Sequence, residues 1–413
     1  MNTTSNAQPP LKLKAQIRQH ALECVMCGIC VPHCPTFART GNEADGPRGR
    51  ISLALGLSEG HLAATPDVVA HLDACLTCRA CESVCPSQVQ YGAIIDQTRA
   101  ALATRDFARS IKSITPKATE PRWRWLRDYV LSQRQTFGRL WSLLRFFEKI
   151  WLLGLVRRFG GRLAQTLPPV LPARFRFNTQ PAPLNSSLQK VGLFIGCTGE
   201  SLNSDVVRAS IQVLNALGFA VHMPKTQVCC GAMHQHGGDL TQAATLRTDN
   251  QRIFADPTLT AIIVIGTACT GELQRAAWDV PVVEITDFLA NSPDELWPKL
   301  APNPATVAIH LPCSQTRVLK NPTSTERLLR KIPAIKLVPL SSNDRCCGAA
   351  GMHVLMFPEQ AFALRAPILL ELASLKPDVV VSANIGCATH LAAGLGKPVL
   401  HPVELVAQSC VGA

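Results

Sequence analysis

The sequence predicts an α+β/α/β multidomain chain, with a helical, cysteine-rich amino-terminal domain followed by a duplicated α/β domain with parallel sheets. Three observations predict it. Residues 21 to about 105 carry eight cysteines in two tight groups with a helical pattern between them. Residues 106–188 carry none, and are basic, aromatic and finally proline-rich. Residues 189–413 carry the other nine and repeat themselves, short apolar strands alternating with helical stretches.

The repeat sets the architecture of the second region. Cys197, Cys229, Cys230 and Cys269 recur as Cys313, Cys346, Cys347 and Cys387, at offsets of 116, 117, 117 and 118. Their contexts recur too: Val191-Gly-Leu-Phe-Ile-Gly-Cys197 answers Val307-Ala-Ile-His-Leu-Pro-Cys313, and Cys229-Cys-Gly answers Cys346-Cys-Gly. Strands are expected at 191–195, 261–265, 281–284, 307–311, 379–382 and 398–400, with helices such as Asp205 to Leu217 and Pro358 to Ser374. Alternation of strand and helix implies parallel sheets covered on both faces. A first and a later cysteine of each half follow directly on a strand, the position of ligand sites in open α/β sheets. The expected domains are a tail at 1–20, a helical domain at 21–105, a connecting segment at 106–188, and two halves at 189–300 and 301–413.

Composition narrows the class. Hydrophobic residues at 47% and charged residues at 17% describe a globular chain. The start is polar, with no apolar segment after its positive charges, and no apolar stretch reaches the roughly 18–20 residues of a membrane span. A cytoplasmic chain is expected, at most peripheral on the membrane. In that setting 17 cysteines point to metal or redox chemistry rather than a disulfide framework. The net charge of +12 is concentrated: Arg122 to Arg162 holds ten Arg or Lys against Asp128 and Glu148. Without a recognised nucleic-acid fold, this charge does not point to nucleic acid. No G-x-G-x-x-G follows a strand, so no flavin or nicotinamide site is expected here.

The chemistry lies in Cys24-Val-Met-Cys27-Gly-Ile-Cys30-Val-Pro-His-Cys34-Pro35 and in Cys75-Leu-Thr-Cys78-Arg-Ala-Cys81-Glu-Ser-Val-Cys85-Pro86. Both have the spacing C-x2-C-x2-C-x3-C-P. Three thiolates so spaced wrap one [4Fe–4S] cube, and the fourth reaches the neighbouring cube in a two-cluster protein. The expected sets are Cys24, Cys27, Cys30 and Cys85, then Cys75, Cys78, Cys81 and Cys34. Zinc is the competing reading, but a tetrahedral site needs two C-x2-C pairs, not two runs of four. The helical look of Pro47 to Leu57 favours an α-helical ferredoxin domain over the small βαβ type.

These motifs, with Cys34-Pro-Thr-Phe37, Gly41-Asn-Glu-Ala-Asp-Gly-Pro-Arg-Gly-Arg-Ile51, His71-Leu-Asp-Ala-Cys75 and Pro86-Ser-Gln-Val-Gln-Tyr-Gly92, resemble the iron–sulfur subunits of bacterial glycolate oxidase (glycolate dehydrogenase). The resemblance covers nearly the whole chain. It implies two partner subunits, an FAD-binding dehydrogenase that oxidises glycolate and a second flavoprotein-like chain. Electrons would pass through the clusters to a membrane acceptor such as quinone. Related subunits of lactate or glycerol-3-phosphate dehydrogenases are alternatives.

The duplicated halves look like the cysteine-rich domains of heterodisulfide reductases, anaerobic glycerol-3-phosphate dehydrogenase and lactate-utilisation proteins. In the fullest form of that motif each half ends in C-x-x-C; here Glu272 and His390 stand in the last position. The four cysteines left in each half suit a further cluster, a redox dithiol or zinc, or a set of buried structural thiols. A thiol–disulfide enzyme of heterodisulfide-reductase type is the alternative from another class, and it lacks those last cysteines. His234 and His390 are candidate ligands, each with the plainer reading of a helix-start or surface residue; Cys410 has no assigned role. Arg122 to Tyr129 and Leu140 to Val156 carry four of the six tryptophans amid basic residues. They read either as a helix lying in a bilayer interface or as a connector packed on protein.

Overall fold

The computed structural model describes residues 10–103, 116–150, 154, 165–177 and 189–410. They form two compact units: 1–128 with 231–245 and 350–357, and 129–230 with 246–349 and 358–413. Neither unit is continuous in sequence, unlike the expected domains.

The first unit is helical, as expected. Its helices are α1 (Pro10–Leu22), α2 (Pro35–Thr40), α3 (Pro47–Glu59), α4 (Pro66–Asp73), α5 (Ala80–Ser83) and α6 (Tyr91–Ala103). Leu13, Ile17 and Ala21 bury one stripe of α1 against Ile51, Ala54 and Leu57 of α3 and Ile94 and Ile95 of α6. The expected tail is therefore helical from Pro10, its three core residues at i, i+4 and i+8 hidden among polar ones. Proline sets several helix starts. Pro35 places Cys34 at the N-cap of α2, and Thr65 Oγ1 caps α4 before Pro66.

The second unit holds two parallel sheets. The first has strand order β2-β1-β3-β4 and the second β6-β5-β7. The strands are β1 (Lys190–Phe194), β2 (Ala220–His222), β3 (Leu259–Val264), β4 (Val282–Glu284), β5 (Thr306–His310), β6 (Lys336–Pro339) and β7 (Val379–Ser382). The order β2-β1-β3 matches β6-β5-β7, so the sequence repeat is a repeat of topology. Strands β2 and β6 were not expected, being three and four residues long, only partly buried, and ending in His222 and Pro339. The strand expected at 398–400 reduces to one parallel bridge, Val381 to Leu400, in the place β4 holds in the first sheet.

Helices α7 (Arg134–Lys149), α8 (Ser204–Ala216), α9 (Thr267–Leu273), α10 (Ile285–Ala290), α11 (Ser324–Leu329), α12 (Pro358–Leu375), α13 (Ile385–Leu395) and α14 (Pro402–Ser409) belong to this unit. Helix α8 of the first half packs on α14 of the second, and α11 of the second packs on α10 of the first. The exchange is reciprocal, and one core runs through both halves, from Val191, Leu193 and Ile263 to Val307, Ile309 and Val406. Helix α7 buries Phe137, Gly138 and Trp141, with Trp141 Nε1 donating to the Pro172 carbonyl at 3.0 Å. Residues 151–153 and 155–164 of the expected aromatic segment lie outside the described residues.

Candidate metal centres

Both ferredoxin-type loops carry left-handed residues at matching positions. In the first, Met26 (φ 57°) and Gly28 (φ 83°) are left-handed; in the second, Thr77 (φ 50°) and Arg79 (φ 56°) are. These positions lie two and four residues after Cys24 and after Cys75. A non-glycine residue in this region costs on the order of 1 kcal/mol. Three such residues in matched places imply a loop shape that function, rather than local preference, selects.

Cys24, Cys27, Cys30 and Cys85 line one cavity, together with Cys81 and the apolar Val25, Ile51 and Val89. Burial raises the Cys30 thiol, and charge repulsion from Cys24, Cys27 and Cys85 raises it further. Cys81 is raised well above the ordinary thiol value by burial, then by Cys78, Cys75 and Cys34 among its neighbours. Cys34, from the first motif, is raised by burial and by Cys75 of the second, against hydrogen bonds and Arg50 that lower it. The fourth cysteine of each run thus stands with the other run. Four thiols around a partly apolar hollow fit the donor chemistry of a [4Fe–4S] cube.

The two sets differ in exposure. Cys27 is exposed, and Val25 and Ile29 beside it are 69% and 51% exposed, whereas Cys34, Cys75 and Cys81 are buried. Behind the buried set stands a polar network. Arg50 donates to the His71 carbonyl (2.7 Å) and Thr36 Oγ1 (2.8 Å), and lies 3.5 Å from Asp45 Oδ1. Thr36 Oγ1 is 3.1 Å from Cys34 Sγ, and His71 Nδ1 is 2.9 Å from Asp45. Burial alone would favour neutral Arg50, yet Tyr91, Cys75, Cys34 and Asp45 hold its pKa above the ordinary arginine value. The Thr77 N–H (3.4 Å) and the Tyr91 hydroxyl (3.5 Å) donate to Cys75 Sγ. Such N–H···S and O–H···S bonds and a nearby cation tune a cluster's potential. Asp45, Arg50, His71 and Tyr91 lie within the motifs above, but their shared role is not legible in the sequence, because the network joins residues 21 and 26 positions apart.

In the second unit each half gathers its thiols at the carboxyl ends of strands. In the first half the free thiol of Cys197 hydrogen-bonds with Cys229, and that of Cys230 with both Cys229 and Cys269; these contacts, with burial, hold the Cys197 and Cys230 thiols high. In the second, hydrogen-bonding contacts with Cys346 and Cys387 lower the Cys347 thiol, while contact with Cys347 and burial raise Cys387, on which Cys313 also acts. Cys347 and Cys387 sulfurs are 3.1 Å apart. The glycine after each cysteine pair is left-handed, at φ 97° for Gly231 and 89° for Gly348. A Cβ on Gly348 would meet the Ala361 carbonyl at 2.7 Å.

The two residues in place of the last cysteines are otherwise engaged. Glu272 is buried and ion-paired with Arg247 and with Arg275 (3.2 Å). His390 Nε2 is 3.1 Å from the Ala361 carbonyl, and its ring stacks near Phe362. His234 is buried, not a surface residue, with Nε2 3.2 Å from Asp128. A different histidine, missed in the sequence as a ligand, joins the second half's thiols. The ligand atoms of His310, Cys347 and Cys387 all lie within 4.8 Å of one another, and all three residues are buried. The signal was present in the repeat, where His310 stands opposite Phe194.

Comparison with known proteins agrees with this layout. The chain matches the 4Fe-4S dicluster domain over residues 20–89 and the Cysteine-rich domain twice, over 191–274 and 307–392. It is similar to the glycolate oxidase iron-sulfur subunit of Escherichia coli K12, 30% identical over 94% of this chain and 93% of that one. The probable glycolate oxidase iron-sulfur subunit of Bacillus subtilis is 25% identical over 91% of this chain and 89% of that one. Lactate utilization protein A of Geobacillus thermodenitrificans is 24% identical over 52% of this chain and 98% of its own. A solved structure of a hypothetical protein from Helicobacter pylori, 9% identical, aligns over 99% of this chain and 74% of that one with a TM-score of 0.50, a likeness of fold alone.

Proposed function

Because the chain belongs to the family of glycolate oxidase iron–sulfur subunits, we propose that it is the electron-carrying subunit of a glycolate dehydrogenase. In this reading a partner chain binds FAD and oxidises glycolate to glyoxylate, a second flavoprotein-like chain completes the complex, and quinone takes the electrons. Cys24, Cys27, Cys30 and Cys85 hold one [4Fe–4S] cluster; Cys75, Cys78, Cys81 and Cys34 hold the other. Bound clusters accept and release single electrons, which turns a two-electron flavin reaction into one-electron steps. The residues of this chain orient the thiolates through the left-handed loops, donate to Cys75 sulfur, and set a buried cation beside the inner site. The matched loop geometry around two sets of four thiols is the observation that carries the reading.

Attachment to the membrane rests on α7. Leu140, Leu143, Phe146 and Ile150 are exposed along it and at its end, beside Arg139, Arg145 and Lys149. Such a face suits anionic lipid. Among the described residues no helix is long and apolar enough to cross a membrane. The heterodisulfide-reductase alternative is disfavoured by Glu272, whose carboxylate is committed to two arginines.

The test is the anaerobic complex with its FAD partner. Glycolate should bleach the flavin and reduce a quinone analogue. In Cys34→Ser, flavin bleaching should persist while quinone reduction falls at least ten-fold. A complex that responds to lactate or glycerol 3-phosphate and not to glycolate would overturn the substrate; unchanged quinone reduction in Cys34→Ser would overturn the relay.

A further inference from the structure

The two Cys-Cys-Gly halves share topology and four thiols, but not the residues beneath the thiols. In the first half the strand ends pair Phe194 with Val264; in the second the same register pairs His310 with Ser382. The apolar pair has become a polar one, and both His310 and Ser382 are buried. A histidine buried at the end of a central strand is costly unless its ring nitrogens find partners. One has: His310 Nδ1 lies 3.0 Å from Ser382 Oγ. A hydroxyl on one ring nitrogen, fixing ring and tautomer for the other, is the usual support of a metal-bound histidine.

The thiols fit the same picture. Cys347 and Cys387 sulfurs stand 3.1 Å apart. Two thiolates on one tetrahedral ion with bonds of about 2.3 Å sit roughly 3.8 Å from each other. Thiolates of a cube each bind a different iron and must stand wider. The donors His310, Cys347 and Cys387, mutually within 4.8 Å, are therefore close enough to share one ion and too close to serve separate irons of a cube.

We propose that the second half binds one tetrahedral metal ion through His310, Cys347 and Cys387, with zinc the ion its nitrogen and sulfur donors select. The fourth position falls to a neighbouring thiol, Cys313 or Cys346. Among the described residues the first half, with Phe194 in the matching place, shows no such cluster, and its four thiols are those left for further iron–sulfur chemistry. The halves of the repeat thus have different inorganic roles. The inference goes beyond the relay reading and does not depend on it, since it concerns a metal that carries no electrons.

Full-length protein, purified without oxygen from cells supplied with both metals, should contain about one zinc per chain beside its iron. Absorption at the zinc edge should show sulfur together with nitrogen around the metal. His310→Phe, which copies the first half's own residue, should lose most of the zinc and leave the iron unchanged; Ser382→Ala should weaken zinc binding roughly ten-fold. The edge measurement on unaltered protein reports on the site even if a variant folds poorly. Absence of zinc, a shell of sulfur alone, or a loss of iron rather than zinc in His310→Phe would overturn the proposal. Failure of these tests leaves glycolate-driven reduction untouched, and failure of that activity leaves the zinc measurements standing.

Discussion

Arg50 is a full positive charge buried beside the inner set of thiols. A unit charge about 10 Å away at an effective dielectric near 20 is worth roughly 2 kcal/mol, or on the order of 50–100 mV for a one-electron couple. The cation favours the more negative, reduced state. Arg50→Met should therefore lower the potential of the inner cluster by that amount and leave the outer one within about 20 mV, read by redox titration with paramagnetic resonance. Thiol chemistry sets a second expectation. Burial holds Cys30, Cys34 and Cys81 above the ordinary thiol pKa, so near neutral pH the metal-free protein keeps these protons and must release them on loading. Iron uptake should improve as pH rises toward those raised values and fail progressively below neutrality, measured as iron retained per chain. A pH-independent uptake would contradict this. The eight ferredoxin cysteines were legible in sequence because their spacing is local; Arg50 was not, because its role depends on partners brought in from α2 and α4.

At the scale of elements, short motifs owe their shape to backbone regions that side chains usually avoid. Gly348 shows the cost. Alanine there combines a left-handed φ with a Cβ 2.7 Å from a carbonyl, and Gly348→Ala should destabilise the second unit by about 2 kcal/mol or more, seen as a fall in thermal midpoint. An unchanged midpoint would show that the loop after Cys347 yields freely. Strands β1, β3, β5 and β7 were readable since each is a near-continuous apolar run, the mark of a strand covered on both faces. The edge strands β2 and β6 were not, because partial burial removes that mark. Helix α1 escaped notice for the opposite reason: three apolar residues suffice when α3 and α6 cover the rest.

Across the second unit as a whole, each half supplies a helix to the other, α14 onto α8 and α10 onto α11. Val406 of α14 is wholly buried in the core that both sheets share. Val406→Ala should cost roughly 1–3 kcal/mol and lower a single unfolding transition for both halves; two separate transitions would refute the shared core. The repeat itself was visible in the cysteine offsets, but the exchange of helices was not, since nothing in one half's sequence says which sheet its last helix covers. That exchange has a consequence for ancestry. A lineage descended from one duplicated gene can alter the chemistry of either half by point changes, as the exchange of Phe194 for His310 illustrates, yet it cannot delete the half, because the survivor would be stripped of its cover.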